Sequence, residues 1–92
     1  MTFTLVTTRH FERQARKFLR KHPDLKSTVK NTLDQLHRDP FKPSLKLHGL
    51  TGKLAGTQAV SITHSYRITF TVQIIEREII LLDIGTHNNV YR

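Results

Sequence analysis

The chain has 92 residues, with 15 Lys or Arg against 7 Asp or Glu, a formal charge of +8 and no cysteine. This length predicts one domain over residues 1–92, since chains divide only beyond about 250 residues, and the lack of cysteine excludes a disulfide scaffold and a thiolate metal site. The longest apolar run is far shorter than the about 20 residues of a membrane span, and no signal-peptide pattern opens the sequence, so we expect a soluble, cytoplasmic protein.

The positive charge is concentrated in the first half of the chain. Residues 9–46 hold eleven basic and four acidic side chains, whereas residues 47–92 hold four and three. A basic surface of this size suits a polyanion such as nucleic acid, or an acidic protein partner. A solvated helical face without a partner is the alternative, although so large a charge then costs self-repulsion.

The first half is predicted to form one strand and two helices. Residues 2–7, TFTLVT, are β-branched and aromatic and alternate with polar residues, as in a strand. From Arg9 the apolar residues follow a helical period, with Thr8 as the expected N-cap and a proline after the last turn. A second helix before Asp39 is predicted by one apolar stripe, which consists of Leu25, Val29, Leu33 and Leu36.

The second half is predicted to form an irregular loop and then three strands. Residues 41–56 contain a proline and three glycines, which favour a loop. Alternating patterns then predict strands in TQAVSIT, YRITFTVQII and EIILLDI, with turns at His64-Ser65 and Glu76-Arg77. The order β-α-α-β-β-β predicts an α+β fold, in which a two-helix hairpin packs on one face of a small, mainly antiparallel sheet.

The strand parity predicts which residues lie on the sheet face away from the helices. The even-numbered residues from Tyr66 to Ile74 are expected in the core, and Arg67 on the open face. In the last strand Asp83 is expected on that open face, opposite to a core set of Ile80, Leu82 and Ile84. A face of this kind, ringed by basic side chains, is a plausible groove for single-stranded RNA.

Two of the six histidines are candidates for catalysis. His48 and His87 each lie beside a glycine at the predicted edge of the sheet, where a rigid scaffold often displays functional groups on loops. The histidine spacings match no metal motif, so we expect neither a metal nor another cofactor. A pair of hydrogen-bonded loop histidines without a chemical role is the alternative.

RNA cleavage without a metal requires a base for the 2′-OH, a cation for the phosphorane charge and an acid for the leaving 5′-oxygen. Imidazole, with an unperturbed pKa of about 6.5, can serve as base or acid near neutral pH. His48 and His87 together with Arg67 supply all three groups, and Tyr91 can stack on an unpaired base. Further RNA-binding cations are expected at Arg16, Lys17, Arg20, Lys46 and Lys53.

The whole chain resembles the RelE/ParE superfamily of toxins from type II toxin–antitoxin modules, and most closely the YafQ-like branch. The motifs that carry the resemblance are LHGLTGKLAG, SITHSYRITF and the closing GTHNNVY. The resemblance implies a ribosome-dependent mRNA endonuclease that is inhibited by a cognate antitoxin and contacts operator DNA only through that antitoxin. It also implies catalytic roles for His48 and His87, a functional aromatic at Tyr91 and a phosphate contact for Arg67.

The sequence departs from the YafQ-like pattern just before the YRITF strand. Ser65 stands where that pattern has an Asp, and Ser61 where it has a further His. His64 is adjacent to Ser65 and is a candidate replacement if the turn presents it toward the groove. Two alternatives therefore stay open: a ParE-type toxin that inhibits DNA gyrase without nuclease activity, and a degraded toxin that only binds its antitoxin and operator.

Overall fold

The predicted order of strands and helices is confirmed, with one short strand added. The computed structural model describes residues 2–45, 47–49 and 56–86, with only the backbone of Ser44 and His48. The strands and α-helices are β1 (Thr4–Val6), α1 (Arg9–Lys21), α2 (Lys26–Arg38), β2 (His48–Gly49), β3 (Gln58–Ser61), β4 (Tyr66–Gln73) and β5 (Glu78–Thr86). Two 3-10 turns, Pro23–Leu25 and Pro43–Leu45, precede α2 and β2.

The strands form one mixed sheet in the order β1-β5-β4-β3-β2. The strand β1 runs parallel to β5, and the other neighbours are antiparallel. The helical connection after β1 makes this parallel pairing possible, because parallel strands require a long crossover. The predicted α+β fold with a helical hairpin on a mainly antiparallel sheet is therefore confirmed. Neither helix in the described part of the chain is long and apolar enough to cross a membrane.

The N-terminus of α1 is fixed to the sheet by Thr8. The Thr8 hydroxyl accepts a hydrogen bond from the Phe11 N–H at 3.1 Å and donates one to the Leu81 carbonyl at 3.0 Å. One side chain thus satisfies a free helix N–H and a carbonyl of β5 at once. The helix ends at Lys21, just before Pro23, as the sequence predicts.

The core lies between the two helices and one face of the sheet. Leu36 of α2 is fully buried, and Phe11 and Phe18 of α1 are buried in the same apolar cluster. Each such side chain contributes about 1.5–3 kcal/mol when it leaves water. The largest fully buried side chains of the sheet are Val60, Ile68, Phe70, Ile79 and Leu81.

A β-bulge in β5 overturns part of the predicted parity. Thr69 pairs with Asp83, but Phe70 pairs with Leu81, so Leu82 is an extra residue between two ladder pairs. Before the extra residue, the odd-numbered side chains Ile79 and Leu81 lie in the core. After it, the even-numbered Ile84 does. The predicted core set of Ile80, Leu82 and Ile84 is right for Ile84, which is buried, and wrong for Ile80 and Leu82, because strict alternation fails across the extra residue.

The sheet face away from the helices is also less open than expected. Ala59 and Thr69, both on this face, are 0% and 4% exposed, so its centre is shielded from water.

The prediction of Ile74 as a core strand residue is wrong as well. β4 ends at Gln73, and Ile74 is 59% exposed in the turn that follows.

Candidate functional site

Arg67 lies at one end of the sheet, on the face away from the helices. Its cross-strand partners are Ser61 on β3 and Gly85 on β5. The residue is half-buried, and the Nε and Nη1 atoms of its guanidinium are shielded from solvent. Gly85, the partner of Arg67 on β5, carries no side chain on this face. The guanidinium is therefore held close to the sheet rather than extended into solvent.

Position 48 belongs to the same face of the sheet as Arg67. The β2 register pairs His48 with Ala59, which pairs in turn with Thr69 of β4. Neighbouring strands lie about 4.8 Å apart, so position 48 is about 10 Å from β4 and about 14 Å from β5 across the sheet. Arg67 therefore lies between β2 and the end of β5, after which the sequence continues to His87.

Several other predicted site residues lie outside the described part of the chain. The side chain of His48 and the whole of His87 and Tyr91 belong to that group, as do Lys46 and Lys53. Their roles remain predictions from the sequence.

His64 lies in an exposed turn at the same end of the sheet. The turn joins β3 to β4, and its first residue, Ile62, donates a backbone hydrogen bond to the Tyr66 carbonyl at 2.8 Å. Within the same turn, the Ser65 N–H donates a hydrogen bond to the Thr63 hydroxyl at 3.3 Å. His64 itself is exposed. The turn therefore brings an imidazole near the end of the sheet at which Arg67 lies.

A groove of about 380 Å³ opens at this end of the sheet, on the helix side. Its walls are the last two turns of α1 and the adjoining ends of β4 and β5. The polar side chains in it include Lys17, Lys21 and Thr86. Thr86 precedes His87 in the sequence, so the end of β5 borders both this groove and the face that carries Arg67.

Three aromatic rings form the inner wall of the groove. The Phe18 ring packs edge-on against Tyr66 at 5.0 Å between centroids, and His22 lies 4.8 Å from each of them. Phe18 is buried, whereas His22 and Tyr66 are only half-buried. Edge-to-face pairs at these distances stabilise beyond simple burial. The two half-buried rings therefore have fixed positions and keep part of their surface available.

The predicted RNA-binding residues of α1 are divided between two surfaces. Lys17 borders the groove just described, whereas Arg16 and Arg20 line a second groove with Pro23 and Lys26. Successive residues of an α-helix lie about 100° apart around its axis, so the consecutive Arg16 and Lys17 cannot share a face. All three predicted side chains are exposed, but they border two different grooves.

Sequence reasoning missed three residues of the first groove. The predicted RNA-binding set lacks Lys21, His22 is not among the candidate histidines, and Tyr66 is expected only in the core. The available signal was spacing, because Lys17 and Lys21, like Phe18 and His22, are four residues apart and share one helix face. The contact of that face with Tyr66 depends on the docking of α1, which no local pattern encodes.

His10 and Asp83 form a further pair that the sequence did not predict. His10 Nε2 lies 3.4 Å from Asp83 Oδ1, and the same oxygen accepts a hydrogen bond from the Ile84 N–H at 2.8 Å. Asp83 follows the bulge residue Leu82 and pairs with Thr69 of β4. No group of three His, Asp or Glu side chains positioned to hold a metal occurs within residues 2–45, 47–49 and 56–86.

Comparison with known proteins identifies the fold. No protein-family model matches the chain, and no curated protein matches it significantly. Among solved structures, YafQ from E. coli strain BL21(DE3) is 13% identical with a TM-score of 0.82, covering 98% of this chain and 99% of YafQ. A YoeB/ParE toxin from Agrobacterium tumefaciens is 20% identical with a TM-score of 0.78, covering 92% of this chain and 99% of the toxin.

A third similar structure is the E. coli DinJ–YafQ toxin–antitoxin complex, whose matching chain is 13% identical with a TM-score of 0.79 and full coverage of both chains. Because these sequence identities are low, the similarity establishes the fold alone. The resemblance inferred from the sequence is confirmed at that level: the chain has the fold of RelE/ParE-superfamily toxins, including the YafQ-like ones.

Proposed function

We propose that this protein, with its RelE/ParE-type fold, is the toxin of a toxin–antitoxin module and cleaves mRNA on the ribosome. The reaction is attack of a ribose 2′-OH on the adjacent phosphate, with no metal ion. The observation that carries the proposal is the register of the sheet: Arg67 lies between β2, which begins at His48, and the end of β5, which leads to His87.

The proposed roles follow from what each group can do. His48 and His87 act as the acid–base pair, one taking the 2′-OH proton and the other protonating the leaving 5′-oxygen. Arg67 stabilises the charge that develops on the phosphorane, because its guanidinium donates two parallel hydrogen bonds to phosphate oxygens. The partial burial of this guanidinium supports the role, since a preorganised donor needs little rearrangement in the transition state.

Four further sequence candidates complete the proposed site. Tyr91 stacks on a base of the codon, as expected for an aromatic near a single-stranded RNA groove. His64 stands in the turn where the YafQ-like pattern has a carboxylate, and its exposure supports a contact with RNA rather than a structural role. Lys46 and Lys53 provide additional cations for the phosphate backbone.

The proposed partners are a cognate antitoxin, the ribosome and its mRNA, and operator DNA only through the antitoxin. The charge of +8 suits both ribosomal RNA and an acidic antitoxin. The DinJ–YafQ structure is a complex of a toxin of this fold with its antitoxin, which supports the first partner.

The test is to express the chain and its His87→Ala variant in bacteria and to map the 5′ ends of cellular mRNA. The proposal predicts new 5′ ends in frame with codons, which disappear in the variant. A matched control is His37→Ala, because the His37 ring contacts the Phe3 carbonyl just before β1, and β1 pairs with the end of β5 opposite to Gly85. Intact mRNA accompanied by DNA damage would reject the nuclease and indicate gyrase inhibition.

A further inference from the structure

The groove beside the end of β5 has no role in the proposed chemistry so far. It encloses about 380 Å³, within the range of about 300–1,000 Å³ that is usual for sites of small organic ligands. Its described lining contains the cations Lys17 and Lys21 and no Asp or Glu. The groove therefore favours an anionic ligand of modest size.

The two lysines lie on one face of α1 in a position to hold a phosphate. They are four residues apart, which places them one helical turn from each other at the edge of the groove. Both are exposed, so their ammonium groups stay hydrated until a ligand arrives. Lysine binds phosphate as a mobile point charge, and two such charges suit a flexible backbone.

The aromatic wall distinguishes a nucleotide from a plain anion. His22 and Tyr66 are half-buried, and the contact of both with buried Phe18 fixes their positions. A planar base stacks favourably on such a ring whichever of the four bases it is, because every base has a π-face. A carboxylate side chain would use the lysines alone and gain nothing from the rings, so RNA fits better than an acidic peptide.

We propose that this groove binds one unpaired nucleotide, with its base against His22 and Tyr66 and its phosphate between Lys17 and Lys21. The inference rests on the proposed function, and it adds a subsite for the nucleotide next to the cleaved bond. The position of Thr86 supports that assignment, because this groove residue directly precedes His87 in the sequence. RNA that passes over the end of β5 would reach both the groove and the face with Arg67.

The experiment measures binding of a fluorescent single-stranded RNA hexamer with 2′-O-methyl riboses, which cannot be cleaved by 2′-OH attack. Fluorescence anisotropy is recorded for the unmodified chain and for His22→Ala, His22→Phe and Lys21→Gln. We expect His22→Ala to weaken binding about tenfold through lost stacking, and His22→Phe to retain it because the ring remains. Circular dichroism checks that each variant is folded.

The electrostatic part of the site is tested by salt. Lys21→Gln should weaken binding and reduce the slope of log K against log salt by about 0.7, the value for one phosphate contact on a single strand. Lys30→Gln is the matched control, since it removes the same charge from an exposed position on α2 that does not line the groove. Lys30→Gln should change the slope less than Lys21→Gln does.

Two results would overturn the subsite. In the first, His22→Ala and the unmodified chain bind the hexamer equally, or neither binds it. In the second, a glutamate hexamer displaces the fluorescent RNA as well as unlabelled RNA does, and an RNA with abasic positions binds as tightly as the complete one. That result would assign the groove to an acidic protein segment. Codon-framed cleavage that persists in either case would leave the proposed function standing, whereas base-dependent binding without any cleavage would retain the subsite alone.

Discussion

Arg67 on β4 pairs directly with Gly85 on β5, two residues before His87 in the sequence. This pairing puts the proposed phosphate-binding cation beside the strand end that leads to the proposed catalytic imidazole. The two residues come from separate strands, so the juxtaposition depends on the register of the hairpin. That register is set by the ladder on either side of the bulge at Leu82.

The first prediction concerns Arg67 itself. Arg67→Gln should lower the rate of mRNA cleavage about 10²–10³-fold, the usual effect of removing one donor to a transition-state oxyanion. The rate is measured on ribosomes with a saturating amount of mRNA. Arg38→Gln is the control, because Arg38 is exposed on α2 and its ion pair with Asp34 is local to that helix. Equal rates for Arg67→Gln and Arg38→Gln would contradict the assigned role.

The second prediction tests the core below the helices. Leu36→Ala should lower the free energy of unfolding by about 2–5 kcal/mol, because the side chain is fully buried and leaves a cavity. Ile75→Ala should have little effect, since Ile75 is 92% exposed in the turn after β4. Urea unfolding followed by circular dichroism measures both. Similar losses for the two variants would show that the described core is wrong.

The third prediction tests the link between α1 and β5. Thr8→Ala should destabilise the protein by about 0.5–2 kcal/mol, the cost of losing an N-cap side chain. The loss should fall toward the upper part of that range, because the same hydroxyl also donates to the Leu81 carbonyl. Thr8→Ser retains the hydroxyl and should recover most of the stability. Thermal unfolding of the two variants measures these changes. A Thr8→Ala variant as stable as the unmodified chain would contradict the prediction.

The fourth prediction concerns the His10–Asp83 pair. Its two side chains are 53% and 25% exposed, so solvent screens their attraction. A double-mutant cycle with His10→Gln and Asp83→Asn should give a coupling energy below about 1 kcal/mol, as for other exposed pairs. The cycle is measured by urea unfolding near pH 6 and at low salt. A markedly larger coupling would assign the pair a structural role that its exposure does not suggest.

Local patterns predicted most of the fold. The helical period, Thr8 as N-cap and the alternation in YRITF gave the helices and β4, because each depends on neighbours in sequence. The change of parity at Leu82 was not predictable in this way. A bulge inserts a residue into the pairing of two strands, and both faces of β5 carry apolar side chains, so the sequence contains no break in pattern there.

The candidate site was predicted less completely than the fold. The expectation for Arg67 relied on strand parity, and the structure places it on the predicted face. The groove formed by Lys21, His22 and Tyr66 escaped prediction, since it exists only where the C-terminal half of α1 docks beside the end of the sheet. Sequence spacing identifies the face of a helix but not the strand against which that face packs.

The most direct test of the proposed chemistry is the cleavage of ribosome-bound mRNA with a single 2′-deoxy nucleotide on the 5′ side of the scissile bond. The purified chain should cut the all-ribose mRNA and leave a 2′,3′-cyclic phosphate and a 5′-hydroxyl, since the 2′-oxygen is the nucleophile. The 2′-deoxy mRNA should stay intact at that bond, and the His87→Ala variant should cut neither. Equal cleavage of both mRNAs by the unmodified chain would contradict the account.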